Sequence, residues 1–337
     1  VSHRIHILDS DVWFDAEPNQ SLLDAALRCG VELPYSCRKG VCGQCLGKIV
    51  SGDVETSSGH PEMNCSTEEV LYCCAQPRSD ITIAPTEWRR SEPGTRKRYN
   101  AKVFRNTLAS PGVSVLELRL PAGQRVRFKA GQYLHIILPN GERRSYSMAN
   151  APHQSDVLQL HIRHVPGGLF SGQVQQLNPG DVLAVEIPFG QFHWREDSTR
   201  PIVFIAASTG LAPIKSMVDD MIRRKIQRPI RLFWGVRDAQ DLYSLAFLQT
   251  WAKQRPDMQL SISVESGEGE QWPGHRTGRL DDALLASVSD LTDHEVYCCG
   301  SPAMIEAMRV LCFQRMGLPR GHFHCDVFVP GPILMMP

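Results

Sequence analysis

The chain of 337 residues balances 36 lysines and arginines against 36 aspartates and glutamates. That balance excludes the basic excess of a nucleic-acid or membrane-surface binder, and no uninterrupted apolar run reaches the ~18 residues of a transmembrane helix. Eleven cysteines, several adjacent or closely spaced, argue against a disulfide scaffold at this length and for a reducing, cytoplasmic setting. The length accommodates two or three domains. The opening Val1-Ser2-His3-Arg4-Ile5-His6 alternates like a strand and lacks the apolar core of a signal peptide. Residues 3–15 read as two short strands around a turn at Asp9-Ser10-Asp11. Ser21 then opens a helix, with Asp24 as its capping-box partner. Leu22, Leu23, Ala26 and Leu27 give the helix an apolar face, and Gly30 stops it.

The next stretch, Tyr35 to Cys45, carries Cys37, Cys42 and Cys45 at C-x4-C-x2-C spacing, with Cys73 and Cys74 adjacent further on. This is the plant-type spacing for a [2Fe–2S] cluster. A short loop can wrap three thiolates around one side of such a cluster if its backbone comes close, and Gly40 and Gly43 supply that freedom. Backbone N–H groups of such a loop also point at the cluster sulfurs and help set its potential. Zinc usually takes paired C-x2-C hooks or added histidines, so it fits poorly. The spacing leaves the fourth thiolate open between Cys73 and Cys74. Strands at 46–50 and 81–83 follow, and residues 1–88 form the first domain.

Residues 89–98 are polar and charged around Pro93-Gly94 and read as a linker. Over 99–197 short alternating runs, such as Val115 to Leu120, Tyr133 to Leu138 and Leu158 to Arg163, are punctuated by glycine and proline. They predict an antiparallel β-barrel. After Pro201 the pattern changes. Ile202 to Ala206 is continuously apolar, as in a strand buried on both faces, and the helix from Pro213 repeats Ile214, Met217, Val218, Met221 and Ile222 at helical spacing. Strands at 230–234, 259–264 and 295–299 alternate with helices near 244–254 and from Pro302 to Met316. That alternation predicts a doubly wound parallel sheet over 198–330, followed by a tail, 331–337. The fold class is thus multidomain, α+β followed by α/β.

Four motifs carry residue types that suit phosphate, flat-ring and nucleotide binding. Arg144-Ser145-Tyr146-Ser147 offers an arginine for phosphate, a flat ring for stacking and a hydroxyl for a flavin edge. Arg163-His164-Val165 runs through Gly168 to Phe170-Ser171, a basic strand end and a glycine turn that could cradle a pyrophosphate. Ala206 to Pro213 joins the first parallel strand to its helix, where nucleotides bind in open sheets. Tyr297 to Pro302 repeats that strand-to-helix geometry with Cys298 and Cys299. An acid, Glu265, follows the strand ending at Val264; a carboxylate there accepts from a ribose 2′-OH and repels a 2′-phosphate, favouring NADH. Arg237, after Gly235, stands at another strand end.

These motifs, in this order, resemble the ferredoxin–NAD(P)H reductase family, and the domain order resembles the NADH-dependent reductase components of bacterial aromatic-ring-hydroxylating oxygenases. The resemblance implies a β-grasp ferredoxin at 1–88 holding [2Fe–2S] through Cys37, Cys42, Cys45 and Cys73, since Leu71-Tyr72-Cys73-Cys74-Ala75-Gln76-Pro77 matches the run around the family's last ligand, with Cys74 left to packing. It implies FAD, with FMN as the alternative, on Arg144, Tyr146, Ser147, Arg163, His164, Val165, Gly168, Phe170 and Ser171. It implies NADH on Thr209, Gly210, Pro213, Gly235, Arg237, Glu265, Cys299 and Gly300. Two family glycines of the nucleotide loop are Ala207 and Ser208 here. Phe323 to Phe328 is similar to the family's acid-x-aromatic terminus, which implies that Asp326 joins Ser147 and Cys299 where hydride moves and that Phe328 covers the flavin. The implied partner is a terminal Rieske-type oxygenase, with no nucleic acid and no membrane. A reductase of the same build for a diiron monooxygenase or a deoxysugar dehydrase is the alternative, as is a non-catalytic redox sensor.

Overall fold

The computed structural model describes residues 2–56, 68–90, 96–243, 246–266 and 275–329. Part of the expected linker, 91–95, and the expected tail, 331–337, lie outside the described residues. The chain divides into two units, Val1–Thr95 and Arg96–Pro337.

The first unit is a five-stranded mixed sheet in the order Trp13–Ala16, His3–Ile7, Ile81–Pro85, Leu46–Ser51 and Glu69–Leu71. His3–Ile7 runs parallel to Ile81–Pro85, and the other pairs are antiparallel. The helix Leu22–Arg28 starts where the sequence signals it, with Ser21 Oγ accepting from the Asp24 N–H at 3.1 Å. Leu22 and Leu23 are fully buried against Ile5, Ile7, Ile81 and Ile83, each contributing about 1.5–3 kcal/mol. The Asp24 carboxylate reaches Arg38 in the cysteine loop and pairs with it, tying helix to loop.

The second unit begins with six antiparallel strands in the order Arg143–Ser147, Tyr133–Ile137, Val182–Phe189, Lys97–Ser110, Val113–Arg119 and Val157–Arg163. The two end strands meet at a bridge between Met148 and Leu160, closing the sheet into a barrel. Alternation sends Leu116, Leu118, Leu158, Leu160, Ile136 and Val185 into its core.

A six-stranded parallel sheet follows in the order His275–Thr277, Gln259–Ser266, Ile230–Asp238, Ile202–Ala207, Glu295–Gly300 and Phe323–Val327. The chain winds outward in one direction from Ile202–Ala207 and later returns to its other side. A crevice therefore opens beyond the carboxyl end of that strand. The helix Leu211–Arg223 buries Ile214, Met217, Val218 and Met221 on the sheet. It begins two residues before Pro213, which its first turn accommodates because the early N–H groups lack intrahelical partners. The predicted helix from Pro302 to Met316 is α-helical over Pro302–Val310 and continues as a π turn over Leu311–Arg315. The helix Leu280–Ser287 and the terminal strand Phe323–Val327 were not anticipated as elements. Among the described residues no helix is long and apolar enough to cross a membrane.

Candidate functional site

In the first unit the cysteine loop turns through left-handed backbone at Arg38, Gly40 and Gly43, with φ of 55°, 72° and 74°. Glycine takes that region without cost; Arg38 does so while paired with Asp24. The turns aim amides at sulfur: Lys39 N–H donates to Cys37 Sγ at 3.3 Å and Gln44 N–H to Cys42 Sγ at 3.5 Å. The thiols associate in pairs, Cys37 with Cys42 and Cys45 with Cys73. The hydrogen bond from Cys42, helped by the amides of Lys39, Val41 and Cys42, pulls the Cys37 thiol down to about 6, while the bond to Cys73 and burial push Cys45 up. Two thiol pairs joined by an amide-lined loop suit a binuclear cluster, in which each iron takes two thiolates. Cys74 is buried, as are Cys42 and Cys45, with its Sγ 3.4 Å from Cys73 Sγ.

In the second unit, Arg144, Tyr146 and Ser147 lie on one barrel strand. Tyr146 is half-buried with its ring 5.6 Å from that of the buried Phe170. Arg144 Nη2 donates to Glu142 Oε2 at 2.5 Å. Arg163 is exposed. His164 is held between Ser114 Oγ and Gln175 Nε2, both at 2.8 Å. The turn from Val165 to Ser171 is so tight that a Cβ at Gly168 would lie 2.9 Å from the Val165 carbonyl oxygen and closer still to Ser171 Oγ. A backbone this bare and close, beside an arginine and a flat ring, fits a flavin nucleotide.

The parallel sheet brings the remaining residues to meet that strand. Cys299 is in register with Ala206 on one side and Asp326 on the other. Ser147 Oγ donates to Asp326 Oδ2 at 3.2 Å, and each of these residues is 5% exposed. A barrel residue and a terminal-strand residue, far apart in sequence, thus share a hydrogen bond beside Cys299. Burial, then the charge of Asp326, pushes the Cys299 thiol up, which favours the neutral thiol over the thiolate. Gly210 lies against Cys299, and the Phe328 N–H donates to the Gly300 carbonyl at 2.8 Å. Thr209 is buried. Ser208 takes φ of 51°, the left-handed backbone a glycine would adopt freely, and Trp234 Nε1 donates to its carbonyl at 3.0 Å.

A Cβ at Gly235 would lie 2.5 Å from Leu280 Cγ. Arg237 and Glu265 are exposed at the ends of their strands, one and two strands away from Ile202–Ala207. Arg279 pairs with Asp281 at 3.0 Å, and the charge of Glu265 adds to that of Asp281 in favouring its protonated form. Three groups escaped the sequence reading: Trp234, Arg279, and the buried pair of His161 and Tyr243, 2.9 Å apart. Burial, then the Lys215 charge, lowers His161 to about 3, so this histidine is a neutral hydrogen-bond partner. Alternation with Leu158, Leu160 and Ile162 puts His161 on the outer face of the barrel strand, and what buries it there is a partner 82 residues on.

The fold and these sites define a multidomain oxidoreductase with an iron–sulfur unit, a flavin barrel and a nucleotide sheet. Known families match in the same order: a 2Fe-2S iron-sulfur cluster binding domain over residues 5–78, an oxidoreductase FAD-binding domain over 100–194, and an oxidoreductase NAD-binding domain over 204–310. Terephthalate 1,2-dioxygenase, reductase component 2, of Comamonas sp. is 49% identical over 98% of this chain and 99% of its own length. The CDP-6-deoxy-L-threo-D-glycero-4-hexulose-3-dehydrase reductase of Yersinia pseudotuberculosis is 35% identical over 98% of this chain and 100% of its own. Among solved structures, an Amycolatopsis cytochrome P450 reductase superposes with a TM-score of 0.79 at 32% identity, covering 97% of this chain and 99% of that one. The chain belongs to the ferredoxin–NAD(P)H reductase family. It is an NADH-dependent oxidoreductase with [2Fe–2S] and FAD as cofactors, transferring electrons from NADH through FAD to the cluster.

Proposed function

We propose that this chain is the reductase component of an aromatic-acid dioxygenase of terephthalate type and delivers its electrons to a terminal Rieske-type oxygenase. The observation that carries the catalytic reading is the Ser147–Asp326 hydrogen bond beside Cys299, at the carboxyl ends of the central strands. A bound flavin accepts two electrons as hydride and yields them singly, and a bound [2Fe–2S] cluster carries one at a time. Around those groups the chain supplies positioning. Ser147 and Asp326 keep a hydroxyl proton and a carboxylate charge in register where the nicotinamide and flavin meet, which steadies charge developing during hydride transfer. Thr209 and Gly210 would offer backbone to the dinucleotide, and Pro213 lies in the first turn of the helix behind them. Arg144 and the Arg163–Ser171 turn would hold the flavin phosphates, Tyr146 would offer its ring for stacking, and Phe328 would exclude water. Cys37, Cys42, Cys45 and Cys73 ligate the cluster.

The identity with the terephthalate reductase over nearly the whole of both chains supports the acceptor. The likeness to the dehydrase reductase favours a second reading, the same electron path ending at another acceptor. Coupled turnover with purified oxygenases on a panel of aromatic acids tests this. Product formation with a terephthalate-type oxygenase is expected. Failure with every aromatic-acid oxygenase, alongside brisk ferricyanide reduction, would leave the reductase and remove the proposed partner.

A further inference from the structure

At the amino end of the parallel sheet, opposite the crevice, Glu295 is 3% exposed. Its Oε1 meets His322 Nδ1 at 2.9 Å and its Oε2 meets His324 Nε2 at 2.8 Å. Ser198 also hydrogen-bonds the carboxylate, and the Glu295 N–H donates to the Pro201 carbonyl at 2.9 Å. His324 stacks on Tyr297 with ring centroids 4.8 Å apart, and the Tyr297 hydroxyl accepts from the Arg195 N–H at 2.8 Å. Arg228 closes the same region through the carbonyls of Arg195 and Arg200. A carboxylate withdrawn this far from water persists only when its oxygens are occupied by donors. Here those donors come from the segment leading out of the barrel and from the last strand.

That last strand is the edge of the sheet, paired on one side by Glu295–Gly300. It carries Asp326, two residues beyond His324 and therefore on the same face. Burial of all five residues sets which face each side chain takes, and polar contacts at the two ends set how the strand lies along its neighbour. At the crevice end the fixings are the Ser147–Asp326 bond and the Phe328 N–H to Gly300. At the other end the fixing is Glu295.

We propose that Glu295, clasped by His322 and His324, is a positioning residue for hydride transfer, holding the terminal strand in the register that sets Asp326 against Ser147 and Cys299. The inference rests on the role proposed above for Asp326. The clasp acts through the strand and touches neither nucleotide nor flavin, so it alters the rate of transfer without altering nucleotide affinity.

The test is stopped-flow flavin bleaching by NADH in the full-length holoprotein, for Glu295→Gln, Asp326→Ala and the double variant. Glu295→Gln is expected to slow bleaching, by up to ~10²-fold for a displacement near 1 Å, with the NADH concentration at half-maximal rate unchanged. In the Asp326→Ala background Glu295→Gln should cost no further rate. His322→Gln, altering the outer, half-exposed partner, gives the same measurement if Glu295→Gln does not fold. Wild-type bleaching in folded Glu295→Gln or His322→Gln, or a full further loss in the double variant, would overturn the inference. Normal bleaching in Asp326→Ala alone would instead remove the reading of Asp326 on which it rests.

Discussion

Gly210 offers the sharpest test of how the nucleotide loop is built. A Cβ at this position would lie 2.9 Å from the carbonyl carbon of Cys299 and closer still to its oxygen. Ordinary carbon contacts begin near 3.5 Å, so loop and strand must part by roughly 0.6 Å at the carbon and more at the oxygen. The obstacle is backbone in the centre of a parallel sheet, so no side-chain rotation relieves it. Overpacking of this kind costs about 1–3 kcal/mol, which for a unit of this size lowers Tm by ~2–12 °C. The same displacement separates Thr209 and Gly210 from Cys299, where nicotinamide is expected to lie. Gly210→Ala should therefore slow NADH-driven flavin bleaching by about 10- to 10²-fold. Gly321→Ala is the control: nothing lies within 4 Å of its Cβ, so stability should stay within ~0.5 kcal/mol. Thermal denaturation and stopped-flow absorbance on both variants decide the matter. A Gly210→Ala protein with wild-type Tm and bleaching rate would show that the loop does not press on Cys299.

Cys73→Ser should abolish the [2Fe–2S] EPR signal of the reduced protein, while Cys74→Ser should keep it; the reverse pattern would move the fourth ligand by one residue. Cys42→Ser should lose the cluster yet still bleach its flavin with NADH and reduce ferricyanide, and loss of bleaching with flavin still bound would contradict the order NADH, flavin, cluster. Asp326→Ala should keep the cluster but slow flavin bleaching by ~10²–10³, and unchanged bleaching would make Asp326 a packing residue. Burial alone would raise the Glu295 carboxyl, but hydrogen bonds from His324 and His322 outweigh it and hold it at about 2, below its ordinary 4.5. As pH falls, the unfolded chain takes this proton first. The contribution, on the order of 3 kcal/mol, is full above pH 4.5 and disappears between 4.5 and 2. Burial likewise lowers His324 from 6.5, so its contribution also drops as pH falls below that value. Urea midpoints measured across this range should fall less steeply in Glu295→Gln than in the wild type, and parallel curves would refute the assignment.

The features legible in the sequence were those encoded locally. Helix Leu22–Arg28 announced itself through Ser21 and an apolar face, the barrel strands through alternation, and the central parallel strands through unbroken apolar runs. The cysteine spacing carried its own chemistry because a loop must close around it. Less visible were pairings between distant segments. Asp24 looked like a capping partner, but its carboxylate pairs with Arg38, fourteen residues away in the cysteine loop. The space beside Gly235 is filled by Leu280, from a helix whose periodicity was too short to register. Arg279 pairs with Asp281 and also feels the charge of Glu265, a placement that no local motif showed.

Ser208 shows how such a distant contact permits a local departure. Where the family pattern has glycine, a serine must take φ of 51°, a conformation costing an L-residue about 1–2 kcal/mol. The local sequence offers nothing to offset that. The fold does: Trp234, fully buried on the neighbouring strand, donates its indole N–H to the Ser208 carbonyl at 3.0 Å. A charge-neutral hydrogen bond contributes about 0.5–1.5 kcal/mol net, close to the cost of the strained turn. Trp234 in turn packs edge-on against Tyr243 at 5.5 Å, and Tyr243 meets His161 on a barrel strand. The nucleotide loop is therefore braced from the barrel, through an aromatic pair that no motif contains. The backbone that glycine would supply by freedom is supplied here by support, and the shape of the loop depends on the barrel being in place beside it.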